Sequence, residues 1–254
     1  MIIDSGRKDK LAWRAYATRE EMGLSAAAYA EGLIIKLLEE KAELRMIFAA
    51  APSQNETLAG LLHSPAIDWS RITAFHMDEY LGLQPEAPQG FGRFLRERLF
   101  GQVPFKAVNY LNGQTNNADE ECARYSALLQ EAPIDICCLG IGENGHIAFN
   151  DPPVADFNDP VWVKRVELDQ ICRNQQVNDG CFASLDLVPT HALSLTIPAL
   201  TSASYMVCVV PARTKRAAVR RLLSEDVISE ALPASIMRRH ANAQLFLDSE
   251  SGKD

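Results

Sequence analysis

Ile134-Asp135-Ile136-Cys137-Cys138-Leu139 runs directly into Gly140-Ile141-Gly142-Glu143-Asn144-Gly145-His146-Ile147-Ala148-Phe149-Asn150-Asp151-Pro152. The opening run is almost wholly apolar, the pattern of a central parallel strand covered on both faces. A glycine-rich loop follows at its carboxyl end, where open α/β sheets receive their ligands. Similar apolar runs stand at 46–51, closed by Pro52, and at 72–77, 192–195, 205–210 and 244–247. Between them, apolar spacing predicts helices. Tyr29, Leu33, Ile34, Leu37 and Leu38 recur at helical intervals over 25–44, with Ser25 as the expected N-cap. Further helices are expected over 57–62, 91–100, 119–130 and 214–224. This alternation predicts an α/β fold, a mostly parallel sheet with helices on both faces. Without an internal repeat or linker, 1–254 reads as a single domain. The least regular stretch, 151–189, is rich in Asp, Asn, Gln and Pro and is the candidate lid.

Composition narrows the partners. The 254 residues suffice for a sizeable core, and 47% hydrophobic with 23% charged residues are globular values. A net charge of −8 and a pI near 5.2 leave no basic surplus for phosphate backbones, so no nucleic-acid partner is expected. Apolar stretches fall short of the roughly 20 residues of a bilayer helix, so no membrane partner is expected either. The opening Met1-Ile2-Ile3-Asp4-Ser5-Gly6-Arg7-Lys8 is charged too early for a secretory signal. Cysteines at 122, 137, 138, 172, 181 and 208 show no framework spacing, which predicts reduced thiols and a cytoplasmic location. With no CxxC and no HxxxH, no metal site is expected.

Two strand ends carry candidate chemistry. After 72–77 come Asp78 and Glu79. A carboxylate partly withdrawn from water gains basicity and suits proton abstraction beside a carbonyl or imine. A plain alternative is that both cap a helix or solvate a turn. In the second loop the glycines permit close backbone approach and offer N–H groups to an anion or sugar oxygen. The GxGxxG spacing alone is weak, and no acidic residue about 20 positions on supports a dinucleotide. His146, with Asp151 following, reads as a general acid/base and its orienter, although a lone histidine is usually structural.

Taken as a pair, Phe75-His76-Met77-Asp78-Glu79-Tyr80-Leu81-Gly82-Leu83 and the stretch from Leu139 to Pro152 resemble the signatures of the glucosamine-6-phosphate deaminase/isomerase family, which includes the related 6-phosphogluconolactonases. The resemblance runs from about residue 25 to 248. It implies a three-layer α/β/α sandwich and conversion of an aminohexose 6-phosphate to a ketohexose 6-phosphate plus ammonia, without metal or organic cofactor. Asp78 matches the base that moves a proton from C2 to C1. His146 matches the group that protonates the ring oxygen. Asn144 stands where members carry Asp or Asn, and Asp151 where Glu is usual, one methylene shorter in reach. Lys215 matches a phosphate-binding lysine, and Arg173 a substrate-gripping arginine in the lid.

One segment departs from the pattern. The family's Thr/Ser-Gly-Gly-Thr phosphate cradle is replaced by Pro52-Ser53-Gln54-Asn55-Glu56-Thr57. Ser53, Gln54 and Asn55 still offer hydrogen bonds, and the loop still opens a helix, whose N-terminus favours anions. Glu56 must then point away from the phosphate. The expected partner is a small-molecule sugar phosphate, and a homo-oligomer is compatible with the resemblance. The rival readings are a sugar-phosphate lactonase and a non-catalytic sugar-phosphate-binding protein; residues 1–24 are too short for the DNA-binding head of a sugar-responsive repressor. With only 249–254 after the last expected strand, allosteric activation by an acetylated amino-sugar phosphate is not expected.

Overall fold

The structure, a computed structural model, describes residues 1–84 and 86–252; Pro85, Lys253 and Asp254 lie outside the described residues. The first half comprises β1 (Ile2–Lys8), β2 (Leu11–Tyr16), α1 (Arg19–Glu40), β3 (Leu44–Phe48), α2 (Asn55–Leu62), β4 (Ile72–His76), β5 (Asp78–Tyr80), α3 (Phe91–Leu95), β6 (Ala107–Asn109) and α4 (Ala118–Gln130). The second comprises β7 (Ile136–Leu139), β8 (Val163–Glu167), α5 (Gln170–Asn178), β9 (His191–Leu195), α6 (Ile197–Thr201), β10 (Tyr205–Val210), α7 (Arg216–Ser224), β11 (Ala243–Asp248) and α8 (Ser249–Gly252).

Eight strands form one sheet in the order β1-β2-β11-β10-β7-β3-β4-β6. All neighbours are parallel except the β1–β2 hairpin. Strand order reverses between β3 and β7, so their carboxyl ends open a crevice at the switch point. A second, antiparallel sheet, β5-β9-β8, begins one residue after β4.

Cys137 and Cys138 show how the layers arise. Successive side chains on a strand point to opposite faces. Cys137 joins Ile47, Phe75, Cys208 and Leu245 in one apolar layer, packed with Tyr125 and Leu129 of α4 and Leu222 of α7. Cys138 joins Met46, Phe48, Val207 and Phe246 in the other, packed with Ile34 of α1 and Leu58 of α2. The result is the expected three-layer α/β/α sandwich. All six cysteines are free thiols. Among the described residues no helix is long and apolar enough to cross a membrane.

Several boundaries differ from the sequence reading. α1 starts at Arg19 and runs through Ser25, because Thr18 is the true cap, its Oγ1 accepting the Glu21 N–H at 3.1 Å. Thr18-Arg19-Glu20-Glu21 has the Thr-x-x-Glu form of a capping box. α1 ends at Glu40, and Leu44 belongs to β3. The expected helix over 91–100 is α3 followed by a π-helical turn, Arg96–Phe100. Residues 151–189 are more regular than expected, since β8 pairs with β9 and α5 buries Cys172. The β1–β2 hairpin was not foreseen, and β11 is followed by the short α8.

Candidate active site

A cleft opens at the carboxyl ends of β3, β7 and β10. Its walls come from the segment after β3 (Ala49 to Ser53), Met77 and Asp78, the Gly140–Gly142 segment with His146, and Ala212 and Lys215 before α7. Gln175, Gln176 and Asp179, on and just beyond α5, line it as well.

Asp78 and Glu79 take opposite tasks because they are neighbours on a strand. Glu79 accepts N–H bonds from Tyr80, Phe91 and Gly92 at 3.0, 3.0 and 2.8 Å, so it caps α3. The helix-cap alternative is therefore correct for Glu79. Asp78 lines the cleft, and among the described residues nothing hydrogen-bonds its carboxyl. Burial, and secondarily the charge of Glu79, push its carboxyl well above the usual range. A desolvated, unbonded carboxyl facing a cleft is what a general base for carbon acids requires.

His146 is held from behind. Its Nδ1 lies 2.8 Å from Asn144 Oδ1 and 2.9 Å from Asp151 Oδ1. Both are acceptors, so the network assigns the proton to Nδ1 and leaves Nε2 as the free ring nitrogen. Asn144 also donates Nδ2–H to Asp151 at 2.9 Å. Burial alone would raise the Asp151 carboxyl, but His146, Asn144 and the Asp169 N–H together hold it below its ordinary value. The ring packs so closely on Gly142 that a Cβ there would lie 2.1 Å from His146 Cε1. That glycine is required by contact.

The anion side is only partly as expected. Ser53 lines the cleft, and Lys215, buried at 5% exposure, reaches it from the turn before α7. Lys215 Nζ lies 3.5 Å from Asp179 and 3.8 Å from Glu143. Gln54 does not face the cleft. Its amide is buried and spans to Ser53 Oγ (3.1 Å), the Leu139 carbonyl (3.4 Å) and the Val209 carbonyl (3.5 Å). It donates to Ser53 Oγ, which leaves the serine hydroxyl proton for the cleft. Asn55 accepts from Arg98 Nε at 2.8 Å on the outer side. Arg173 stands apart from the cleft. It donates to the carbonyls of Leu185 and Val188, both at 2.8 Å, and so ties α5 to the chain that follows it. Glu56 points away, ion-paired with Arg19 at 2.8 Å.

Sequence reading missed Arg19, Ala212 and the α5 glutamines as cleft residues. Ala148 (φ 49°) and Ala212 (φ 79°) both line the cleft in left-handed conformations that cost a non-glycine residue about 1–3 kcal/mol. Nothing in a lone alanine signals this. Arg19 did carry a signal, since a cation in the first turn opposes the helix dipole. His146, Asp151 and Cys172 each bring a potential ligand atom within 4.8 Å of the others. Burial, then the Asp151 carboxylate, push the Cys172 thiol far up, and His146 Nδ1 is already engaged. Such a donor set suits a hydrogen-bonded cluster, not a cation.

The pattern of the glucosamine-6-phosphate isomerases/6-phosphogluconolactonase family matches residues 17–166. A glucosamine-6-phosphate deaminase of Bacillus thuringiensis (strain Al Hakam) is 38% identical over 185 residues, 73% of this chain and 68% of that protein. This chain belongs to that family. A solved family structure, that of a monomeric glucosamine-6-phosphate deaminase, superposes with a TM-score of 0.84 at 29% identity over 95% of this chain and 98% of that one. A 6-phosphogluconolactonase from Thermotoga maritima superposes at 0.77 with 20% identity, over 94% of this chain and 100% of its own. The second likeness is one of fold. Of the two stretches quoted from Phe75 to Leu83 and from Leu139 to Pro152, Met77, Asp78, Gly140, Ile141, Gly142, His146, Ala148 and Phe149 line the cleft.

Proposed function

We propose that this chain is an amino-sugar-phosphate deaminase/isomerase, converting an aminohexose 6-phosphate and water to a ketohexose 6-phosphate and ammonia. One observation carries this reading beyond family membership. Asp78, an unbonded buried carboxyl, shares a cleft with a histidine whose Nδ1 is fixed from behind.

The chemistry follows from those two groups. His146 Nε2 takes the C1-hydroxyl proton and hands it to the ring oxygen, which opens the pyranose and exposes the C1 aldehyde. The aldehyde acidifies the C2 proton, which Asp78 removes to give an enolamine. Returned to C1, that proton leaves an iminium at C2, and water converts this to the ketone with loss of ammonia. Ser53 and Lys215 hold the phosphate at the other end of the cleft. A lactonase has no carbon-bound proton to move, so of the two readings only the deaminase gives Asp78 a carbon acid to deprotonate.

Ammonia release from a panel of aminohexose 6-phosphates, run beside acid release from a 6-phosphogluconolactone, tests the reading. Lactone hydrolysis without ammonia would overturn it. Turnover of neither, with tight sugar-phosphate binding, would mark a binding protein.

A further inference from the structure

The loop after β3 has lost more than its glycines. Pro52 has no N–H, the Gln54 N–H is bonded to the Ala51 carbonyl at 2.9 Å, and the Asn55 N–H is bonded to the Pro52 carbonyl. The turn has closed on itself. Among Pro52, Ser53, Gln54 and Asn55, Ser53 alone keeps an N–H and a hydroxyl for an anion. Lys215 does not compensate alone, because its ammonium already has two carboxylate neighbours, Asp179 and Glu143.

We infer that Arg19 is an anion-binding residue of this cleft, supplying the N–H donors that the closed loop no longer offers to the substrate's phosphate. Arg19 lines the cleft beside Pro52, Ser53 and Lys215. Its Nε donates to Glu56 Oε1 at 2.8 Å and its Nη2 to the Pro52 carbonyl, so the guanidinium brackets the loop. Among the described residues Nη1 has no partner, which leaves it and the second Nη2 proton for a ligand. A guanidinium carries five donors in a planar fork, so two spent on positioning still leave enough for a phosphate oxygen pair. Loop amides act as donors with partial charge, and an arginine neutralised by a carboxylate acts in the same way. Glu56 is therefore the positioning residue, and the negative charge that looked hostile to phosphate fixes the fork instead.

The surroundings hold the pair rigidly. α1 and α2 approach so closely that a Cβ on Gly23 would lie 2.3 Å from Glu56 Cβ. A cation at the first residue of a helix opposes the macrodipole. Glu56 offsets that cost, and the site gains its donor.

The inference rests on the deaminase reading only for the identity of the phosphate's carrier, so the experiment has one arm with turnover and one without. Without turnover, inorganic phosphate is titrated calorimetrically into the wild type, Arg19→Ala and Arg19→Lys. Arg19→Ala should weaken phosphate binding about 10- to 100-fold, the effect of losing one or two charge-assisted hydrogen bonds. Arg19→Lys should recover only part, having charge without the fork. With turnover, Arg19→Ala should raise KM for the phosphorylated sugar by a similar factor, keep kcat within about two-fold, and leave kcat/KM for the unphosphorylated amino sugar unchanged. Equal losses on both sugars would make Arg19 a structural residue and overturn the inference. So would phosphate affinity that is absent in the wild type or unchanged in Arg19→Ala. Phosphate binding that falls in Arg19→Ala, without ammonia release by the wild type, would sink the deaminase reading and leave Arg19 in place. Arg19 is partly exposed at the helix start, and an unaltered melting temperature confirms that the variants fold.

Discussion

Asp151 Oδ1 stands 2.9 Å from His146 Nδ1, although its side chain is one methylene shorter than the glutamate that the family resemblance implies here. The shorter side chain still reaches the ring, and Asn144 joins the pair. Its Oδ1 shares the same ring N–H and its Nδ2 bonds Asp151, so three side chains form one unit.

Asp151→Asn removes the charge that stabilises the imidazolium and permits the amide to present an N–H to Nδ1. A fall in kcat of roughly 10²-fold is expected, within the usual worth of general acid–base assistance. His146→Gln should cost ring-closed substrates more than ring-opened analogues, measured as the ratio of kcat/KM values. Equal losses on both would remove His146 from ring opening.

Asp78→Asn should keep the fold and lower kcat by roughly 10²–10⁴-fold. The wild type carries a second signature. Burial raises the Asp78 carboxyl, so the proton-accepting form is lost as pH falls through a value above the ordinary carboxylate range. The acid limb of the kcat/KM profile should therefore lie above that range. A limb at ordinary carboxylate pH would contradict a desolvated base.

Gly142→Ala tests the contact beneath the histidine. The new methyl would fall within 2.1 Å of His146 Cε1, so the ring must move off the Asn144–Asp151 pair. Stability should change little beside a loss of turnover comparable to His146→Gln. Normal turnover would show that the ring has freedom to shift.

His76 makes an acid-stability prediction. Burial lowers its pKa from 6.5 to about 3, and Nε2 accepts the Leu111 N–H at 2.7 Å, so the native imidazole is neutral. The unfolded chain binds a proton below about pH 6.5 and the native chain does not until about pH 3. This contribution is complete above 6.5 and declines as pH falls, by at most about 1.4 kcal/mol per pH unit. Buried Asp78 and Glu79 act in the opposite sense, since their raised native values favour proton uptake by the folded chain. The comparison is therefore between wild type and His76→Gln in denaturant titrations at pH 7 and pH 5. The variant should lose less stability over that step; an identical loss would show that His76 is not the group responsible.

Much of this could be read from the chain because buried parallel strands advertise themselves. The runs at 72–77, 134–139 and 205–210 need apolar residues on both faces, and cleft-lining groups come after them. Asp78 and His146 therefore both reach the cleft. Arg19 was not foreseen, because the capping Thr18 was passed over for Ser25 and its partner Glu56 lies 37 positions away. Ion pairs of that span leave no local period. Gln54 and Asn55 were assigned by chemistry alone, and their side chains turned to the Leu139 and Val209 carbonyls and to Arg98. Arg173 shares a helix with Gln175 and Gln176, yet it lies on the face turned to Leu185 and Val188.

The pleat of β5 has a consequence for how this protein can vary. Asp78 pairs opposite Ser194, and Glu79 opposite Leu193. A shift of this three-residue strand by one position would present Glu79 to the cleft and strip α3 of its cap in the same event. Inserting or deleting a residue between Met77 and Tyr80 thus removes Asp78 from the cleft and breaks helix anchoring together, whereas point changes affect one at a time. Variation here can proceed by substitution but not by change of length, and the loops beyond the strand must absorb every insertion.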